Sequence, residues 1–326
     1  MDNEKVQKAN RILELFLLLM KGEELSVKQL ADRLHVSSRS ISRDISEIKI
    51  FLAENRDIAG NAELYYSSIN HKYRLNIGNL LTNKELLVVS KILIGSRAIT
   101  TEALVDILDK IKANTSSNDR DVLEKLIRKE IYHYAPVYTD NKDLIDLLWK
   151  ITRYIEQRRF ITIDYYKMDR SRTQCTLKPL AVIFSEYYFY LIAYKENNDK
   201  IPLFFRIDRI VGMTTHRKYF DYENTNSIDE GLIRHHSQYM FPGKLKKVRF
   251  SFDGQSIQAV LDRIPTAKII EKKAGKYILE AESFGNGLKM FLLSQGAGIE
   301  VLSPKEFRDE MKQEIEKMYI QYKKEG

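Results

Sequence analysis

Arg39, Ser42, Arg43 and Ser46 recur on one face of a helical pattern, with Ser38 and Ser40 at its edge. The opposite face carries Ile41, Ile45, Ile48 and Leu52 at i, i+4, i+7 and i+11. An arginine fork can take O6 and N7 of guanine together, or clamp a phosphate. Serine hydroxyls and a helix N-terminus suit phosphate oxygens. The chemistry this pattern permits is recognition of duplex DNA.

A second set lies in residues 161–210, where basic and aromatic side chains interleave on segments of alternating polarity. Tyr165, Arg172, Lys178 and Tyr188 are its candidates from the residues alone. Residues 143–220 hold 14 Lys and Arg against 9 Asp and Glu, so +5 of the +8 net charge sits there. Guanidinium groups for phosphate and rings for bases are what a single-stranded nucleic-acid or nucleotide site needs.

The first set needs elements to aim it. Val6, Ala9, Leu13, Phe16, Leu17 and Met20 predict a first helix from about Lys5, closed by Gly22. Ser26 is placed to cap a second helix, with Gln29 at the reciprocal capping-box position and Val27, Leu30, Ala31 and Leu34 inward. A short turn at 35–37 leads into the arginine helix, which is the helix-turn-helix layout. Residues 63–66 and 72–75 flank a turn and read as a wing whose His71, Lys72 and Arg74 can reach phosphate. Asp44 is expected to orient Arg43 or a neighbouring arginine. Since residues 1–76 carry a net charge of only +1, the alternative is a solvated three-helix bundle.

Residues 77–142 read as a helical connector. Thr82 and Glu85 make a capping box before a helix with Leu86, Leu87, Val89 and Ile92; further helices follow at 102–111 and 119–134, with a loop at 114–118. A connector that sets the spacing between head and body is the expected role, and a dimer contact along these helices is compatible with it. Pro136 precedes a helix over 142–158 that carries Trp149. Strands are predicted at 161–165, 173–180, 187–194 and 204–210, with a turn at 196–199, making a twisted antiparallel sheet or barrel-like unit. Beyond 221, strands at 248–253 and 276–283 alternate with helices at 256–263 and up to 294, and a last helix runs to about 322.

Catalytic chemistry finds no support. There is no Gly-rich phosphate loop, no His-Glu-x-x-His and no Cys-x-x-Cys. His235 and His236 are adjacent on a helix, so they point about 100° apart and make a poor metal pair. Cys175 is alone and reads as a structural thiol. Ser185-Glu186 lacks the strand–turn–helix elbow of a serine hydrolase. No catalytic residue, cofactor or metal is expected. A chain of 326 residues, 44% hydrophobic and 30% charged, accommodates two or three domains. The longest early apolar run, 15–20, is too short to span a bilayer and no signal peptide is evident, so a cytoplasmic protein with no membrane partner is expected.

Phe189-Tyr190-Leu191 resembles the Trp-Tyr-Leu tripeptide that names the WYL domain. Phe205-Arg206-Ile207-Asp208-Arg209-Ile210 is similar to that family's Phe-Arg-Leu-Asp-Arg-Ile signature, and Ile163-Asp164-Tyr165 and Lys178-Pro179-Leu180 also fit. The N-terminal pattern resembles the winged helix-turn-helix of DeoR-type bacterial repressors, Arg43-Asp44 matching their Arg-Asp pair. The run from Gly296 to Val301-Leu302-Ser303-Pro304 before a last helix resembles the family's C-terminal WCX extension. The resemblance implies an α+β multidomain chain: a winged helix-turn-helix at 1–76, a connector at 77–142, an Sm-like small β-barrel at 143–220, and a sandwich-like α/β extension at 221–326 for dimerisation or regulation.

It further implies a homodimeric transcription regulator that binds a double-stranded operator. Its barrel would sense a nucleotide or single-stranded nucleic-acid effector through Tyr190, Arg206 and Arg209. Two positions depart from the family. Phe189 replaces the motif Trp, and Leu203 or Phe204 stands where many members have another Arg. Two other readings remain. In one, a ligand-independent dimeric repressor, for instance of a phage-defence or mobile-element cluster, uses the barrel structurally, with Arg206 pairing Asp208 or Glu186. In the other, the chain is a subunit of a nucleic-acid-processing enzyme.

Overall fold

The computed structural model describes residues 2–76, 82–112, 117–139, 143–221, 230–273 and 275–323. The chain divides into two compact units, Met1–Val137 and Tyr138–Gly326.

The first unit begins with α1 (Asp2–Met20), α2 (Val27–Leu34), α3 (Ser38–Glu54) and a single turn, α4 (Arg56–Ala59). The hairpin β1 (Glu63–Ser67) and β2 (Lys72–Asn76) follows. Leu15, Leu19, Leu30, Ile41, Ile45, Ile48 and Leu52 form one core with Leu64 and Leu75 of the hairpin. The predicted inner stripe of α3 is therefore the observed one. That of α1 is not: Ile12, Leu15, Phe16 and Leu19 pack inward, while Val6, Leu13 and Leu17 are each more than half exposed. From Ile12 to Met20 this helix is apolar on nearly every side, so its periodicity does not specify which side is buried. The capping box at Ser26 and Gln29 does not form. Leu25 is held extended by backbone hydrogen bonds in both directions with Tyr73, each 2.8 Å, and the Ser26 side chain makes no cap bond.

The unit continues with α5 (Asn83–Ser96), α6 (Thr101–Lys112) and α7 (Ser117–Tyr132). The Thr82 box does form: Glu85 N–H donates to Thr82 Oγ1 at 3.3 Å, and Thr82 N–H donates to Glu85 Oε2 at 2.7 Å. Leu86 and Ile94 face inward, whereas Val89 and Ile92 of the predicted stripe are exposed. Of the loop expected at 114–118, residues 114–116 lie outside the described residues, and Ser117 and Asn118 belong to α7.

The second unit opens with α8 (Leu144–Glu156), then β3 (Arg159–Tyr166), β4 (Arg172–Ser185), β5 (Tyr188–Lys195), β6 (Asn198–Arg206) and β7 (Ile210–Tyr219). The sheet is antiparallel in the order β6-β5-β4-β3-β7. The expected strand over 204–210 is instead a strand end, a 3-10 turn at Ile207–Arg209 and the start of β7. This sheet does not close into a barrel: among the described residues no ladder joins β6 to β7. Yet a three-residue turn links these opposite edges, so the sheet must bend until they meet at that corner. Bulges supply the bend. One lies between Pro179 and Ala181, where proline has no N–H to give the ladder, and another between Asp164 and Tyr165.

After α9 (Glu230–His236) come β8 (Leu245–Phe252), α10 (Ile257–Arg263), β9 (Lys268–Lys273) and β10 (Lys276–Phe284). α11 (Gly287–Ser294), β11 (Ile299–Ser303) and α12 (Lys305–Lys323) end the chain. These strands form a single antiparallel sheet, ordered β11-β8-β10-β9, whose core of Val248, Phe250, Leu279 and Val301 packs with Leu288, Leu292 and Phe307 of the helices. The sequence pattern misses β9 because every residue of this edge strand is exposed, so no alternation marks it.

Candidate nucleic-acid interface and anion cleft

Ser37 starts the arginine helix. Its hydroxyl accepts from Ser40 N–H at 3.1 Å and lies 2.9 Å from Ser40 Oγ, so Ser40 belongs to the cap. Ser38, Arg39, Ser42, Arg43 and Ser46 are exposed on the outer face of α3, and Ser46 Oγ donates back to the Ser42 carbonyl at 2.9 Å. Asp44 turns the other way. It is 1% exposed and accepts two bonds from Arg11 of α1, from Nε at 2.5 Å and from Nη2 at 3.2 Å. Of the expectation that Asp44 orients Arg43 or a neighbouring arginine, the Arg43 alternative is thus corrected: the partner is Arg11, from another helix. Neither Arg39 nor Arg43 makes a hydrogen bond or ion pair among the described residues, so both guanidinium groups are open to a ligand. In the wing, Lys72 and Arg74 lie opposite Ser67 and Tyr65, on the face away from Leu64 and Leu75.

The second candidate site forms at the corner where the bent sheet's edges meet. Arg206 ends β6, and its fork grips Asp208 two residues on, Nε to Oδ1 at 3.1 Å and Nη2 to Oδ2 at 2.6 Å. The Arg206 guanidinium carbon stacks 3.3 Å from the Tyr188 ring centroid. Burial alone would lower the Arg206 pKa, but the bonds to Asp208 outweigh it and the pKa is raised. Behind the turn, Tyr165 is buried; its hydroxyl accepts from Arg206 N–H at 3.3 Å, and desolvation raises its pKa. Tyr190 pairs with Arg206 across the ladder, and burial pushes its pKa up to about 12.

In front of the turn lies a cleft of about 190 Å³ lined by Tyr138, Tyr166, Lys167, Met168, Arg170, Tyr188, Arg206, Asp208 and Arg209. It has four cations and one carboxylate, and that carboxylate is already committed to Arg206. Lys167 and Arg170 come from the tight turn between β3 and β4. There Lys167 N–H donates to the Ser171 carbonyl at 2.9 Å, Asp169 accepts from Ser171 N–H at 2.9 Å, and Arg170 takes a left-handed φ of 64°. A space this small holds a phosphate and little more, so a larger ligand would lie across its mouth.

Of the residues singled out in the sequence, the fold brings Tyr188, Arg206 and Arg209 into this cleft. Tyr165 and Tyr190 support it from behind. Arg172 and Lys178 stand elsewhere: Arg172 pairs with Asp164 at 3.1 Å, and Lys178 lies 5.9 Å from the Phe160 ring centroid. Sequence reasoning missed Tyr138, Tyr166, Lys167, Met168, Arg170 and Asp208 as cleft residues. For Lys167 and Arg170 a signal existed, two cations in a polar turn between two candidate-bearing strands. Tyr138 had none.

Three domain models match in chain order: an HTH domain over residues 8–58, a WYL domain over 146–215 and a WCX domain over 245–319. The chain has the architecture of the WYL-domain transcriptional regulator family. HTH and WYL domains together point to a DNA-binding regulator. Similar solved structures include proteasome accessory factor B/C (PafBC) of Arthrobacter aurescens, 16% identical, with a TM-score of 0.31, over 97% of this chain and 48% of that one. Another is a CRISPR Cas-related protein, 17% identical, with a TM-score of 0.40, over 76% of this chain and 75% of that one. This WYL-domain chain thus spans about half the length of the PafBC chain. No curated protein matches it. Among the described residues, no helix is long and apolar enough to cross a membrane and no cluster of His, Cys, Asp or Glu is arranged to hold a metal.

Proposed function

We propose that this WYL-domain regulator reads duplex DNA with Arg39 and Arg43 of α3 and grips the backbone with Lys72 and Arg74 of the wing. A phosphate-bearing ligand, a nucleotide or the end of a single-stranded nucleic acid, enters the cleft and alters DNA binding. The carrying observation is the convergence of Lys167, Arg170 and Arg209 beside the Tyr188 ring, with the one carboxylate of the cleft bound to Arg206. Cations of this kind take phosphate and the ring takes a base. The working state is a homodimer, whose recognition helices must reach major grooves about 34 Å apart or a multiple of it. The ligand regulates by favouring one spacing of the heads over another.

The test is fluorescence anisotropy of short labelled, 5′-phosphorylated single-stranded oligonucleotides with the full-length protein at several salt concentrations. Salt-sensitive binding weakened about tenfold or more by Lys167→Gln/Arg209→Gln supports the reading. Arg206→Ala is the wrong probe, because it leaves Asp208 buried without its partner. One observation favours a ligand-independent regulator: Arg206 of the second motif is already neutralised by Asp208. Oligonucleotide binding unchanged in the double variant, or absent altogether, would move the reading there.

A further inference from the structure

The outer face of α1 carries a repeat that the core of its domain does not use. Val6, Asn10, Leu13, Leu17 and Met20 are spaced alternately by four and three residues, the repeat of a two-helix seam. Leu15 and Leu19 hold the other side of the helix in the core. Val6, Leu13 and Leu17 are each more than half exposed, Met20 is 38% exposed, and Asn10 is exposed with them. Charges beside the stripe are occupied within the domain: Lys8 pairs with Glu47, Arg11 with Asp44 and Glu14 with Arg33. The stripe itself carries no charge, so two copies of it meet without repulsion.

Asn10 selects the partner and its direction. In the repeat, Asn10 and Leu17 take the a positions, and Val6, Leu13 and Met20 the d positions. In a parallel, in-register pair a faces a, so two Asn10 side chains meet and hydrogen-bond each other. In an antiparallel pair a faces d, and each Asn10 amide is set against an apolar side chain. A lone Asn at an a position thus fixes register and recognises its own copy.

The DNA-reading end requires the same direction. From Lys8 to Arg11 the chain advances along α1, while their partners run from Glu47 back to Asp44 along α3, so the two helices are opposed. Parallel α1 helices therefore point both α3 N-termini, with Arg39 and Arg43, the same way, as one duplex demands. Since α3 and the stripe lie on opposite sides of α1, three helix-to-helix gaps of about 8–10 Å separate the two α3 axes by about 24–30 Å. Arginines on the outer face of α3 extend this toward the roughly 34 Å between successive major grooves.

We propose that the α1 stripe is a head-to-head interface with a second copy of this chain, parallel and in register at Asn10. This rests on the homodimer reading above and assigns the surface that joins the two heads. Its four apolar side chains, roughly half exposed, offer on the order of 400 Å² per copy, half of the roughly 800 Å² per partner of a standard interface. The seam is too small to hold free heads together, and it closes when a duplex with two half-sites brings them side by side.

The tests use the full-length protein and a duplex selected by the wild type from a random library. In a Cys175→Ser background, Asn10→Cys oxidised on that duplex should form a disulfide between two copies, and the crosslinked dimer should bind the duplex at least as tightly as the reduced protein. Gln29→Cys, exposed on α2 of the same head, should stay uncrosslinked. No disulfide in Asn10→Cys, equal crosslinking in Gln29→Cys, or a crosslinked dimer that has lost the duplex overturns the seam. Leu13→Glu/Leu17→Glu should lose about tenfold or more in affinity for the selected duplex and stay within about twofold of wild type on a duplex cut to one half-site. No loss on the long duplex, or the same loss on both, overturns the seam. Light scattering separates it from the reading it rests on. A wild type that stays monomeric on the selected duplex overturns the homodimer and the seam with it; a wild type that is dimeric there without the Asn10→Cys disulfide overturns the seam alone.

Discussion

Removing the Asp44 carboxylate should unfold the recognition helix from behind without touching any group that faces DNA. The Asp44 side chain is 1% exposed and that of Arg11 is 18% exposed, and two bonds join them. Truncating one partner of a buried pair costs about 3–5 kcal/mol, because the other charge stays behind unpaired. Arg11 keeps some contact with water, so about 2–3 kcal/mol is expected for Asp44→Ala. That is a large part of the roughly 5–15 kcal/mol that holds a domain together. It corresponds to opening of α3 about 30- to 160-fold more often.

The assay is native-state hydrogen exchange of the α3 amides in wild type, Asp44→Ala, Arg11→Met, Arg43→Ala and the two double variants with Asp44→Ala. Fluorescence would report on the wrong part, since the only Trp, Trp149, lies in α8 of the other unit. The Arg11–Asp44 coupling should exceed about 1 kcal/mol, and the Arg43–Asp44 coupling should stay within about 0.5 kcal/mol. The reverse order, or unchanged opening in Asp44→Ala, would refute the pairing.

Three further outcomes are expected. Arg43→Ala should weaken binding to a selected duplex by about 1–3 kcal/mol and relax preference at one base pair; an equal loss on all sequences with a shallower salt dependence would make Arg43 a phosphate contact. Gly287→Ala should destabilise the C-terminal sheet and its helices by about 1–3 kcal/mol or more in thermal unfolding, because an added Cβ would sit 1.7 Å from the Gln238 carbonyl oxygen; an unchanged Tm would refute that contact. Burial raises Tyr190 from 10.0 to about 12, so the folded state holds this proton more tightly. The stability it contributes is intact below pH 10.0 and is lost as the pH rises from 10.0 toward 12. The tyrosinate absorbance difference between wild type and Tyr190→Phe should show its step near pH 12, and a step near 10.0 would mean that the ring is solvated.

The winged helix-turn-helix is legible in the sequence because its signals are local. The Ile41, Ile45, Ile48 and Leu52 stripe and the alternation of the wing follow from 3.6- and 2-residue periods that covalent geometry imposes. The Thr82 box is local for the same reason, and it forms. Ser26 has the same local grammar and fails, because Leu25 is recruited by Tyr73 far along the chain. The buried side of α1 was illegible for a related reason: a helix apolar all round gives no phase until α3 chooses one. Local sequence likewise offered Asp44 Arg43 or another neighbouring arginine, and packing chose Arg11 from 33 residues away.

The cleft divides in the same way. Sequence by itself determined that residues 143–220 concentrate basic charge and aromatic rings on strands, and that Arg206 and Arg209 flank Asp208. Only the tertiary structure decided which of those charges share one site. The bend of a sheet ordered β6-β5-β4-β3-β7 brings its two edges to one corner, where Asp208 takes Arg206, and Lys167, Arg170 and Arg209 line the same space. It also sets Tyr138 against Arg170, a pairing across 32 residues that no period encodes. Backbone geometry repeats along the chain and can be read from it; strand order and packing join residues with no fixed spacing, and they settle only when the core closes.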